Sequence, residues 1–581
     1  MINRRTLLAG SAVAALLSAT PLPAKARRVV GAAKPWTTYP GARMKTTGTV
    51  IGPAYGPYRI EMESTRQRCL KLLPGDTATF TVRDRANAMI IRYSLPDSDD
   101  GQGIAGSIRL SCNGNLLRQV PVTSKYAWLY GDYPFTNDPK DGQPRHFYDE
   151  VRLSGLSLKK GDVITLQNPP GGAPYCIIDL VDLENAAPPA RRPVDSLSAI
   201  DFGADPGGER DSTEGVRACV AAAAAQRRIA WVPAGRYRLT GDIVLPSDVT
   251  LMGAGMWHTT FVGDEDLYGQ ADRRLRFKLT GNNIHLADFA LIGRLKYRND
   301  SEQNDGIFGV HASQSSVKRI WVEHTKVGMW FYVCRAIAVE GCRLRNTMAD
   351  GINLCVDTRD STIENCSARG TGDDCFAIWP SPGDQGFRQE TPKPGNNVIC
   401  RCTGELNFLA QGGSIYGGAN NRIEDCLFRD IASGCGILIS TTFPTSDANV
   451  DNNFSGTTLV RNCEIVRCGG YDHGWAWRAA FEICLDRRDI SGLRIADVRI
   501  KDSLSDGFAI MASGEPRTLS DCAVDGMTVP NCGIGSPDRH GLHVKGNVDG
   551  RLAVSNSRFV DVRNESARFE IASTTLPSSP T

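Results

Sequence analysis

Beyond about residue 280 the chain repeats one pattern of apolar and polar positions: an apolar residue, two small or polar ones, a cysteine, an alternating run, then a glycine-containing bend. Val339-Glu340-Gly341-Cys342-Arg343-Leu344, Ile363-Glu364-Asn365-Cys366-Ser367-Ala368 and Ile423-Glu424-Asp425-Cys426-Leu427-Phe428 are the clearest copies. Leu459-Val460-Arg461-Asn462-Cys463-Glu464-Ile465 and Leu519-Ser520-Asp521-Cys522-Ala523-Val524 are looser, and Val554-Ser555-Asn556-Ser557 has serine in place of cysteine. The clear copies stand 24 residues apart, or farther where insertions intervene. Short alternating strands at a period of about 20 to 25 residues predict a β-solenoid, because one turn cannot bury its apolar face without neighbours. A leucine-rich repeat has a similar period, but its L-x-x-L-x-L signature is absent. The predicted fold is all-β: a right-handed parallel β-helix over 197–573. Its turns are expected near 282–293, 315–331, 335–354, 359–379, 396–417, 420–440, 457–468, 488–511, 517–546 and 550–573.

Upstream, residues 43–185 alternate on a period of two between Gly, Asp and Pro turns, as in Thr77-Ala78-Thr79-Phe80-Thr81-Val82. That pattern predicts an antiparallel β-sandwich module, which either binds carbohydrate or covers the end of the helix. Residues 186–196 read as a stiff proline-rich linker. The solenoid opens at Ala199-Ile200-Asp201-Phe202-Gly203, followed by an Ala-rich helix over 212–226 with Ser212 as its N-cap, placed to close the open end of the stack.

The first 26 residues read as a transport signal: Arg4 and Arg5, an apolar run from Leu7 to Leu17, and the small-x-small site Ala24-Lys25-Ala26. Asn3-Arg4-Arg5-Thr6-Leu7-Leu8 resembles a twin-arginine signal, so the mature protein is expected in the periplasm or secreted, without stable membrane association. A net charge of +2 with interspersed signs offers no footprint for nucleic acid. Eighteen cysteines in an exported chain ordinarily suggest disulfides, yet most occupy one repeated apolar position, where a small thiol is a packing choice. Cys400 and Cys402 lack a second pair at zinc spacing, so no metal site is assigned. A monomer is expected.

Two successive turns align without a gap: Cys342-Arg343-Leu344-Arg345-Asn346-Thr347-Met348-Ala349-Asp350-Gly351 against Cys366-Ser367-Ala368-Arg369-Gly370-Thr371-Gly372-Asp373-Asp374-Cys375. Residues in register in a parallel β-helix lie about 4.8 Å apart along the axis, which puts Asp350 beside Asp374 with Asp373 one residue away. Three carboxylates so close raise at least one pKa, a cost without structural return. Glycoside hydrolysis requires such a set: one acid protonated for the leaving oxygen, another ionised to activate water. The competing reading makes these aspartates turn-capping corners or calcium ligands. His324 and Lys326 on the preceding turn, with Trp330 and Trp379, are the candidate substrate contacts; an indole can stack on a sugar ring. Trp475-Ala476-Trp477-Arg478 sits in an insertion that is either a cleft wall or a plain surface loop.

His324-Thr325-Lys326-Val327-Gly328-Met329-Trp330-Phe331, Arg345-Asn346-Thr347-Met348-Ala349-Asp350-Gly351-Ile352-Asn353 and Thr371-Gly372-Asp373-Asp374 resemble glycoside hydrolase family 87, the α-1,3-glucanases and mycodextranases. Ser124-Lys125-Tyr126-Ala127-Trp128-Leu129-Tyr130-Gly131 and His146-Phe147-Tyr148-Asp149-Glu150-Val151-Arg152 resemble the sandwich that accompanies that family. The resemblance implies inverting endo-hydrolysis of an α-glucan such as α-1,3-glucan or nigeran. In it Asp373 is the acid, while Asp350 and Asp374 hold and deprotonate the water. It also implies no organic cofactor, with structural calcium as an option. The rivals are a polygalacturonase-like hydrolase, a polysaccharide lyase, and a glycan-binding β-helix without catalysis. Arg499-Ile500-Lys501 resembles a polygalacturonase motif, but the G-H-G motif of that family is missing.

Overall fold

A computed structural model describes residues 29–265, 270, 273–391, 393–443, 451–472, 476–536 and 539–573. The expected transport signal and Trp475 lie outside the described residues. The chain forms an antiparallel sandwich followed by one continuous parallel sheet of 35 strands wound as a right-handed β-helix.

The sandwich begins at Trp36–Pro40, ahead of residue 43 where the alternation first reads clearly. This strand pairs with Cys176–Glu184, which also joins Ala86–Ser94 and Cys69–Leu72 in a six-stranded sheet. A five-stranded sheet faces it, built from Lys45–Thr46, Thr77–Thr81, Val163–Gln167, Ala105–Cys112 and Asn115–Thr123. Period-two alternation sends Ala78 and Phe80 inward to meet Ile91, Val181, Leu110 and Leu166.

The solenoid stacks like residues on like. Ile363, Ile399, Ile423 and Val460 pair in successive rungs. Cys342, Cys366, Cys402, Cys426 and Cys463 form the internal ladder read from the repeats, all buried and none in a disulfide. Its corners share a left-handed backbone at Gly341, Asn365, Arg401, Asp425 and Asn462, a conformation that favours Gly and Asn. The turns start earlier than expected, with strands Ile229–Val232, Gly235–Leu239, Asp242–Leu245, Thr250–Gly253, Thr259–Gly263 and Arg276–Leu279. These lack the cysteine marker by which the later copies are recognised.

Helix Thr213–Gln226 buries Val216, Cys219, Val220 and Ala223 against the first rungs. Ser212 sits at the N-cap position, but its hydroxyl accepts the Asp205 N–H instead, and the Asp211 carboxylate accepts the Thr213 N–H. The sandwich lies along the flank of the solenoid rather than over its end. Arg343 bonds Glu184, and Arg369 bonds Glu150 and Asp182 across the junction, all buried. The aligned Arg345 and Arg369 of the sequence repeat therefore face the sandwich.

Candidate active site

Ladder hydrogen bonds fix the acids in the column the sequence predicts. Gly328 N–H donates to the Asp350 carbonyl (3.0 Å), Gly351 N–H to the Asp374 carbonyl (2.9 Å), and Cys375 N–H to that of Gln411 (2.8 Å). Thr325, Thr347 and Thr371 brace three successive bends identically, each hydroxyl donating to the carbonyl two residues on. The strands that follow, Ile352–Cys355 and Phe376–Trp379, pair in register. Asp350, Asp373 and Asp374 consequently offer carboxylate oxygens that all lie within 4.8 Å of one another.

Their surroundings differ. Both donors to Asp350, Trp330 Nε1 (2.8 Å) and Asn353 Nδ2 (3.0 Å), reach the same Oδ2. Asp374 is gripped on both oxygens, by the Gln411 N–H (3.0 Å) on Oδ1 and by the Ser414 and Tyr416 hydroxyls on Oδ2. Asp373 is the open member, with its side chain 32% exposed, and accepts Arg298 Nη2 at 3.1 Å. Burial, with the charge of Asp373 next, lifts the Asp350 carboxyl to about 7. Burial, then the charges of Asp373 and Asp350, hold Asp374 well above the usual carboxylate range. Two buried acids this close, Asp350 and Asp374, resist ionising together.

The acids open into a cavity of about 300 Å³ lined also by Trp330, Trp379, Tyr416, Phe443, Arg298, Asp300 and Asp384. Tyr133 reaches it from the sandwich. Trp379 and Phe443 meet edge to face (5.3 Å), as do Tyr416 and Phe443 (5.0 Å), forming an aromatic wall.

The sequence of residues 214–571 matches the family model for the α-1,3-glucanase catalytic domain D2, and residues 35–186 that for domain D1. The chain belongs to glycoside hydrolase family 87. No curated protein matches it. The Agl-KA catalytic domain superposes with a TM-score of 0.82 at 24% identity, covering 95% of this chain and 100% of that one. The catalytic unit of the thermostable family 87 α-1,3-glucanase from Streptomyces thermodiastaticus strain HF3-3 gives 0.79 at 29% identity, with 94% and 96% covered. A family 87 α-1,3-glucanase catalytic domain in complex with nigerose gives 0.80 at 21% identity, covering 94% and 99%. This family 87 member is a glycoside hydrolase acting on glucan.

Of the candidate substrate contacts, Trp330 and Trp379 line the cavity and His324 and Lys326 do not. His324 points into the sandwich junction, where Nε2 meets Asp149 at 2.8 Å and the ring stacks on Tyr126 at 4.4 Å. Lys326 is buried behind Trp330, 4.8 Å from its ring, and pairs with Asp305 at 2.9 Å. Lys501 bonds Glu464 on a strand away from the cavity, as befits a chance motif match. Arg298, Asp300, Asp384, Tyr416, Phe443 and Tyr133 were not foreseen; Tyr416, an aromatic at the end of the expected turn 396–417, and Phe443, just past the expected turn 420–440, carried the only sequence signal. The three catalytic candidates are also the sole triplet of metal-type ligands among the described residues. Calcium does not fit there: Arg298 and six N–H or O–H donors already face these oxygens, and a guanidinium repels a cation. Among the described residues no helix is long and apolar enough to cross a membrane.

Proposed function

We propose that this hydrolase cuts an α-1,3-glucan internally with inversion, Asp373 protonating the leaving oxygen while Asp350 and Asp374 hold and deprotonate the water. The observation that carries the reading is the unequal exposure of three acids on one cavity wall. Asp373 alone opens outward enough to reach a glycosidic oxygen. Two oxygens within 4.8 Å match the span of one water donating both hydrogens at about 2.8 Å, roughly 4.6 Å at a tetrahedral angle. A water so held aims a lone pair outward.

Two-carboxylate inverting enzymes usually separate their acids by about 6.5 to 9.5 Å, and retaining ones by about 5 to 5.5 Å. Distance alone would therefore suit a retaining nucleophile. Exposure favours inversion instead: Asp350 and Asp374 are 6% and 2% exposed, far less than Asp373, as suits acids that act through a bound water rather than by direct attack on an anomeric carbon. Solved relatives add support, since three of them carry single aspartate-to-alanine replacements at positions 23 and 1 residues apart, the spacing of Asp350, Asp373 and Asp374. Those relatives hold nigerose or tetrasaccharides. A neutral substrate also suits the charge: five carboxylates face the cavity beside one cation, and Arg298 is already bonded to Asp373 and Asp300. A uronate would meet net repulsion, which counts against the galacturonan reading.

Proton magnetic resonance of α-1,3-glucan digests, recorded within the first turnovers, tests this. The β-anomer appearing first is expected; the α-anomer first overturns inversion, and unsaturated products overturn hydrolysis. Export by the twin-arginine route, from Asn3 to Leu8, belongs to the same proposal.

A further inference from the structure

Arg298 lies in the excursion between strands His285–Ile292 and Gly306–Val310, and its side chain is only 5% exposed. Nη1 donates to two main-chain carbonyls, Met348 (2.7 Å) and Gly372 (2.8 Å). The first stands two residues before Asp350 and the second one before Asp373, so a single guanidinium spans the two rungs that carry the acids. Nη2 reaches Asp373 Oδ2 (3.1 Å) and Nε reaches Asp300 Oδ1 (2.8 Å). The guanidinium also lies 5.3 Å from the ring of Tyr133, which the sandwich supplies.

We propose that Arg298 is a positioning residue of the acidic centre, locking the Asp350 and Asp373 bends together and presenting the Asp373 carboxylate to the cavity. The inference rests on the reading of Asp373 as the proton donor. Two separable contributions follow. The planar fork fixes geometry through four directed bonds, which an ammonium cannot reproduce. The positive charge lets the trio hold more negative charge than burial would otherwise allow, and Arg298 pulls the Asp350 carboxyl downward against its desolvation.

Arg298→Lys and Arg298→Gln separate the two. Arg298→Lys should lower kcat by about 10- to 100-fold with KM within about threefold, leaving the alkaline limb of the kcat/KM profile in place. Arg298→Gln should lose as much in kcat and also move that limb upward by about one pH unit, because the carboxylates lose their cation and keep the proton longer. The result that overturns the proposal is kcat within twofold of wild type in both variants, or equal losses in both with an unmoved limb and a matching fall in Tm, which would mark a loop-folding role. If Arg298→Gln does not fold, the kcat-against-KM split and Tm of Arg298→Lys decide. Asp373→Asn, run alongside, isolates the underlying reading: if that variant stays active, the assignment of Asp373 is what has failed.

Discussion

Replacing Asp350 with asparagine should abolish turnover and yet stabilise the folded protein at neutral and alkaline pH. Burial and the neighbouring Asp373 raise its carboxyl to about 7, from about 3.9 in an unfolded chain. A carboxyl whose folded pKa is raised is accommodated without cost while protonated, below about pH 4. Stability is then lost progressively as pH rises through the folded value. About three units at 1.36 kcal/mol each give roughly 4 kcal/mol lost by pH 8. The amide escapes that loss and keeps its hydrogen bonds, because Trp330 and Asn353 both donate to one oxygen that an amide carbonyl can replace. For a chain of roughly 550 folded residues, with unfolding entropy of about 2.1 cal/mol/K per residue, 4 kcal/mol is about 3 °C in Tm. Calorimetry of wild type and Asp350→Asn from pH 4 to 8 should show coincident melting at pH 4 and a gap widening to about 3 °C by pH 8. A gap that is absent, pH-independent or reversed would refute the account of a strained acidic trio.

Three further outcomes follow. Trp379→Ala and Phe443→Ala should each raise KM for gluco-oligosaccharides by about 5- to 10-fold with kcat nearly unchanged, as loss of a stacking ring of about 1 kcal/mol requires; steady-state kinetics with KM unmoved would remove the aromatic wall from substrate binding. Exhaustive treatment with a chelator should leave kcat unaltered, since the acids are held by hydrogen-bond donors, and a fall in kcat at unchanged Tm would reveal a cation at the acids. Thiol titration of the exported protein under denaturing conditions should count all eighteen cysteines as free, whereas fusion to a signal that exports unfolded chains should yield oxidised, inactive material; equal activity by both routes would contradict folding before export.

How much of this was legible depended on where the repeat was regular. Between Cys342 and Cys366 the period is an uninterrupted 24 residues, so threonine falls on threonine and Asp350 on Asp374, and the ladder follows that register residue for residue. Adjacency along the axis is a one-dimensional property, and spacing is enough to give it. The side of the turn that a column faces is a different matter. His324 and Asn346, one turn apart, both meet Asp149 of the sandwich rather than the cavity, because a second module covers that flank. The aligned arginines 345 and 369 were read only as register marks, although a buried arginine demands an acid, and Glu150 and Asp182 supply it from about 200 residues away. Arg298 and Tyr133 escaped for the same reason. Each enters the cavity from outside the repeat, one on an excursion between turns and the other from the docked sandwich, and no periodicity constrains either. The solenoid thus encodes the acids, while the sandwich and the excursion supply Arg298 and Tyr133 beside them. Replacing Tyr133 should therefore disturb catalysis from a domain that carries none of the three acids, through the guanidinium it covers.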